Sequence, residues 1–518
     1  MGESVGEVNI RVPESALLHY STPTIRSPYQ SLSPSPYPPV ININLLPSTS
    51  FSSSSSRDHD HATTTTITNV QDQQQQHQNN RPQDAWLPIT ESTNGNAYFA
   101  TFHLLSSGIG IQALVLPFAF STLGWAWGTI CLSLAFMWQL HTALLLILLH
   151  ESIPGVRFSR YLHLSMAAFG IKLGKVAALF PVMYLSGGTC VMLIITGGGT
   201  MELFFNTVCD DKAKSLSGVL WFLVFTCIAI AIAQLPNLNS IAGVSLIGAI
   251  TAVCYCTLIW VLSLRKGRPT GISYRSSLAE DQSSVAKMSD VLNAVGIIFL
   301  AFRGHNVLLE IQGTMPSTAK HPSREPMCKG VTISYLVIAM CIFPLAIAGF
   351  WAYGNKKTST GGILSAFSQF HRHQVSKFSM GLVYLLLVIH CLSAFQIYAI
   401  PVFDNLEIRY TSVKKKACTR MARTCLRLFF GGLAFFIAVA FPFLPRLAAL
   451  IGGMTLPLTY AYPCFMWIAI KKPRRGGYVW CLNLALGCLG IILSALLVAA
   501  AIWSLAHTGL NANFFKPK

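Results

Sequence analysis

The stretch 291–314 reads VLNAVGIIFLAFRGHNVLLEIQGT. It is long and apolar enough to cross a bilayer as a helix, which takes about 20 residues. Yet Arg303, Gly304, His305 and Asn306 interrupt its middle, and Glu310 follows one turn later. A charge at membrane depth costs about 2.5–3.5 kcal/mol on insertion scales. Such a group persists only where it faces a partner, a water-filled cavity or a ligand. Glycine beside the charges lets the backbone leave the helix at that point. The stretch 98–120, YFATFHLLSSGIGIQALVLPFAF, has the same character. There Ser106, Ser107, Gly108 and Gly110 loosen the backbone, and Pro117 removes a further amide donor. Two interrupted membrane helices, each opening a run of about five spans, point to a secondary transporter with its site near the bilayer midplane.

The rest of the chain fits that frame. Only 11% of its 518 residues are charged, against about 25% in soluble domains. Apolar runs of about 18–30 residues suit membrane helices and not barrel strands. Eleven spans are predicted, near 98–121, 125–149, 174–206, 217–233, 240–263, 291–314, 330–353, 377–401, 424–441, 443–470 and 478–506. Spans 1–5 and 6–10 form two halves of opposite topology, because an odd number of spans per half inverts the repeat, and one helix is left over. Residues 157–172, RFSRYLHLSMAAFGIK, read as an amphipathic segment at the membrane surface.

The net charge of +18 does not mark a nucleic-acid binder, since many basic residues lie in short loops between spans, where they set topology. KKK at 414–416 and KKPRR at 471–475 favour a cytoplasmic N-terminus and an extracellular C-terminus; the basic loop 264–290 runs against that bias. Residues 1–95 are a different material, rich in Ser, Pro, Thr, Gln and Asn, and are expected to be a disordered cytoplasmic tail. The transmembrane domain is assigned to 96–518. Most of the cysteines sit inside apolar spans as small packing residues, so no disulfide framework is expected.

In an interrupted helix, unpaired N–H groups at a half-helix start attract anions, and freed carbonyls attract cations. An α-amino acid has one group of each kind. The first break, Ser107–Gly110, would offer amides to a carboxylate. The second, Phe302–His305, would offer carbonyls to an ammonium group. Arg303, Asn306 and Glu310 share one face if the helix continues, and Asn306 is then within hydrogen-bonding reach of Glu310. Glu310 and His305 are the candidates for a coupling proton, because burial moves both kinds of group towards neutrality. Tyr184 in span 3, and the stripe His390, Ser393 and Gln396 in span 8, are candidate cavity-lining groups. No metal site and no cofactor are expected. Neither a nucleophile elbow, an HExxH motif nor a P-loop marks an enzyme.

The segments GIGIQALVLPFAFSTLGW, AFRGHNVLLEIQGTMPST, FQIYAIPVFD and LPLTYAYPCFMW resemble the plant amino acid/auxin permease family, and within it the lysine/histidine transporter-like proteins. The resemblance covers about 95–518. It implies an eleven-helix fold of the amino acid/polyamine/organocation type and proton-coupled amino acid symport by alternating access, usually at the plasma membrane. It also implies that Gly304, His305, Asn306 and Glu310 belong to the transporter core. Many relatives carry a shorter GAGVLxLP where this chain reads GIGIQALVLP, and Arg303 before GHN is not universal. Substrate and proton are expected between spans 1, 3, 6 and 8, with spans 1 and 6 rocking against the rest. The alternatives are an auxin or other organic-anion carrier and a non-transporting amino acid sensor.

Overall fold

A computed structural model describes residues 87–90, 93–209, 215–275, 283–318, 320–356, 362–371, 375–443, 448–508 and 514–515. The expected tail up to residue 86 lies outside the described residues. Its last part is already built into the helical body: Leu87 and Ile89 are buried, and the Gly95 amide donates to the Thr314 carbonyl.

Helix α1 (Ala97–Gly108) starts at Asn96, whose side chain accepts from the Phe99 amide and satisfies one orphan donor. The chain leaves the helix at Ile109 and Gly110, makes a 3₁₀ turn (Ile111–Val115), and continues as α2 (Leu116–His150). A straight helix of that length would overrun the hydrocarbon core. It is interrupted at Gly124 (φ 75°, ψ −178°), between the first and second expected spans. The segment 157–172 contributes α3 (Tyr161–Phe169), packed on the protein through Tyr161, Leu164 and Ser165. Then come α4 (Ile171–Val208), α5 (Gly218–Ile232) and α6 (Ala242–Lys266).

The stretch 291–314 is broken as its sequence demands. Helix α7 (Ser284–Ala301) stops at Phe302, Gly304 adopts φ 111°, and α8 (His305–Gly313) resumes. Helices α9 (Arg324–Tyr353), α10 (Ile363–His371), α11 (Lys377–Lys414), α12 (Arg420–Ala440), α13 (Ala448–Tyr460), α14 (Tyr462–Lys471) and α15 (Tyr478–Thr508) follow. Among the described residues, eight helical stretches are long and apolar enough to span a membrane. The expected spans 1, 4 and 10 are instead built from the short α1, the 15-residue α5 and the α13–α14 pair. Large apolar side chains such as Ile250, Leu336, Met340, Phe436 and Ile502 point outward, as a lipid-facing surface requires.

Packing follows the two-half reading. Helix α11 packs most extensively on α4 and then on α6, while α9 packs on α1 and α2, and α7 on α2. The first member of each half is the broken one, and the two breaks meet: Ile109 and Phe302 pair in an isolated antiparallel backbone bridge.

Candidate functional site

Beside that bridge lies a small cavity with room for about one water molecule. Span 1 lines it with Ser106, Ser107, Gly110 and Gln112, α4 with Thr189 and Met192, the second break with Arg303, and α11 with His390 and Tyr398. These are the four spans expected to share a ligand. The 3₁₀ turn, which carries the lengthened GIGIQALVLP motif, brings Gln112 to the cavity wall; its buried Oε1 has no hydrogen-bond partner in the protein. The first amides of that turn have no helical acceptor.

Arg303 reaches across the cavity and donates from Nη1 to Thr189 Oγ1 at 3.0 Å. Its buried Nε is unpartnered, and among the described residues no carboxylate forms an ion pair with it. Tyr398 donates to the Ser107 carbonyl at 2.8 Å, holding α11 against the end of α1. Thr189 hydrogen-bonds back to the Leu185 carbonyl. On the far side of Arg303 a second small cavity opens between α4, α7 and α13, lined by Tyr184, Thr189, Met192, Leu300, Arg303 and Thr455 among others. Arg303, Thr189 and Met192 therefore form the wall between the two.

The expected residues divide accordingly. Ser107, Gly110 and Arg303 line the first cavity, and Tyr184 lines the second. Gly108 is packed against the α9 side chain of Ile338, and Gly304 supplies the positive φ of the break. The other four turn to neighbouring helices. His305 meets Thr142 Oγ1 through Nε2 at 2.9 Å and Gln139 through Nδ1 at 3.4 Å. Asn306 donates to Ser186 Oγ of α4 at 2.9 Å, and not to Glu310, and the break takes Arg303 off the α8 face. Ser393 donates to the Val244 carbonyl and lies 3.1 Å from Ser106 Oγ, while Gln396 donates to the Ala229 carbonyl of α5. Their partners are groups that a bundle interior must satisfy, which explains why they do not line the cavity.

Glu310 is buried on α8, away from the cavity, with Oε2 unpartnered, in the field of Asp404 and Arg160. Arg160 grips Asp404 with two bonds, Nε to Oδ2 at 2.6 Å and Nη2 to Oδ1 at 3.1 Å. One turn along α11, Glu407 pairs with Arg423 at 3.1 Å and Arg427 at 3.8 Å. Gln112, Thr189, Tyr398 and the Gln139–Tyr460 hydrogen bond behind the second break were not anticipated. Their only sequence signal is that Gln112, Thr189 and Gln139 are polar residues inside apolar runs.

A helical protein with apolar spans and two facing helix breaks beside a small cavity has the architecture of a solute transporter. The chain belongs to the transmembrane amino acid transporter protein family, whose model matches residues 93–506. It is 53% identical over 438 residues, 84% of each chain, to lysine histidine transporter-like 8 of Arabidopsis thaliana. It is 48% identical over 437 residues to lysine histidine transporter-like 7 of the same plant, 84% of this chain and 90% of that one. Among solved structures it resembles a substrate-bound, outward-open Na⁺-coupled sialic acid symporter (TM-score 0.51, 13% identity, covering 85% of this chain and 96% of that one). It also resembles a nucleobase-cation-symport-1 family transporter in a closed conformation (TM-score 0.52, 11% identity, covering 82% and 96%). These likenesses establish the fold: an all-helical, multi-pass membrane protein.

Proposed function

We propose that the chain is a proton-coupled amino acid symporter that works by alternating access. The observation that carries this reading is the cavity placed where both helix breaks meet α4 and α11. An amino acid there would set its ammonium group against freed carbonyls and Gln112 Oε1, and its carboxylate against the amides that open the 3₁₀ turn. Ser107, Gly108, Gly110, Arg303 and Gly304 shape that site. Tyr184, His305, Asn306, Ser393 and Gln396 hold the surrounding helices in register. Glu310 and His305 carry the coupling proton: a carboxyl that gains and loses a proton at Glu310 changes the charge beside the Arg160–Asp404 pair, which ties the second break to α11. The protein is placed in the plasma membrane, with residues 1–95 as a cytoplasmic tail, 96–518 as the transporter domain and the C-terminus outside.

Uptake of labelled amino acids into proteoliposomes, with and without an inward proton gradient, tests the proposal. Gradient-driven accumulation is expected, and Glu310→Gln should bind and exchange substrate but no longer accumulate it against its gradient. Binding without accumulation in sealed, active vesicles would replace the symporter with a sensor.

A further inference from the structure

Among the described residues, the charge on Arg303 has no carboxylate as counter-ion. The guanidinium stays protonated under all physiological conditions. Its side-chain partners among the described residues are neutral, the hydroxyls of Thr189 and Tyr398, and its Nε is a buried donor with nothing to donate to. The carboxylates of α11 are committed elsewhere: Asp404 to Arg160, Glu407 to Arg423 and Arg427. The other polar groups on the cavity wall (Ser106, Gln112, Thr189, His390 and Tyr398) include no anion. A cation desolvated without a partner is unstable until something negative joins it.

The ligand is what can supply that charge. A neutral amino acid brings one carboxylate and one ammonium group and leaves the site net positive. A cationic amino acid adds a second positive charge within a few ångströms of the first. An amino acid with a carboxylate side chain neutralises Arg303 and still presents its ammonium group to Gln112 Oε1. The free edge of the guanidinium suits the planar, two-oxygen geometry of that carboxylate. Gly110 lets Gln112 and Arg303 approach each other at the break: a Cβ there would lie 2.7 Å from Gln112 Oε1 and 3.6 Å from Arg303 Cδ.

We propose that Arg303 is the charge selector of the cavity, admitting amino acids with an anionic side chain in preference to neutral ones and rejecting cationic ones. This rests on the amino acid symport reading and deepens it. The test uses the full chain in proteoliposomes with a proton gradient and labelled glutamate, alanine and lysine. Glutamate should be taken up with about tenfold or greater preference over alanine, the size expected of one buried charge pair, and lysine hardly at all. Arg303→Gln should lower the glutamate-to-alanine ratio about tenfold, whatever its absolute rate, and Arg303→Lys should restore part of it. Lysine uptake equal to that of glutamate in the natural protein, or an unchanged ratio in Arg303→Gln, would overturn the selector. Ligand-induced thermal stabilisation in detergent keeps the two readings apart. Stabilisation by glutamate and not by lysine, abolished by Arg303→Gln but without vesicle uptake, sinks symport and leaves the selector standing.

Discussion

Two regions of this molecule bury arginine in an apolar helical bundle, and they do so in opposite ways. Where α3 approaches α11, Arg160 is held by both oxygens of Asp404, and a turn away Arg423 and Arg427 share Glu407. Arg427 also donates to the carbonyls of Ala233 and Leu235 at the end of α5 and lies over the Phe403 ring. At the second helix break, Arg303 has a threonine hydroxyl and an unsatisfied Nε. Compensated arginines clamp helices together, whereas an uncompensated one facing a cavity is kept for a ligand. Burial alone does not separate structural from functional charge; the presence of a partner does.

The contrast is breakable by substitution. The largest effect is expected at the clamp: Asp404→Asn removes the negative charge that both nitrogens of Arg160 grip and should cost about 3–5 kcal/mol, read as lost folded protein and a lowered unfolding temperature in detergent. The paired replacement Arg160→Met with Asp404→Leu should recover most of that loss. If Asp404→Asn is as stable as the parent, the clamp is not structural. Next comes Gly304→Ala. Space is available, the nearest atom to an added Cβ being Ser107 Oγ at 3.5 Å. The φ of 111° is the obstacle, at about 1–3 kcal/mol, and transport should fall with stability. Arg303→Gln should change stability least of the three, by about 1 kcal/mol for one hydrogen bond, while altering what is transported. A collapse as deep as that of Asp404→Asn would erase the distinction between the two arginines.

A pH-dependent effect lies outside the spans, at Glu151. Its partial burial opposes ionisation, but the neighbouring His150 imidazole, with hydroxyl groups of Ser323 and Ser317, holds the carboxyl down at about 2, from an ordinary 4.5. A carboxyl depressed on folding stabilises the fold above its unfolded value. That contribution should disappear as the pH falls from about 4.5 towards 2 and should be missing in Glu151→Gln, as unfolding midpoints across that range would record.

Both helix breaks were legible in the sequence, because glycine and charge inside an apolar run are costly unless the backbone opens there. The four spans around the cavity followed from the same logic. Side-chain partnerships were not legible. Asp404 lies 244 residues from Arg160, and hydropathy carries no information about such a pairing. The face assigned to Arg303, Asn306 and Glu310 assumed an unbroken helix, and the break at Gly304 separated Arg303 from the other two. Gln112 was hidden because a 3₁₀ turn has a different period from the α-helix that the surrounding residues suggest.

The most direct test of the central claim is where a transported amino acid sits. An electron cryomicroscopy map of the full chain in lipid nanodiscs, with glutamate at saturation, should place the ligand between Gln112 and Arg303, against the bridge of Ile109 and Phe302. Ligand density confined to the second cavity, beside Tyr184 and Thr455, would contradict the account.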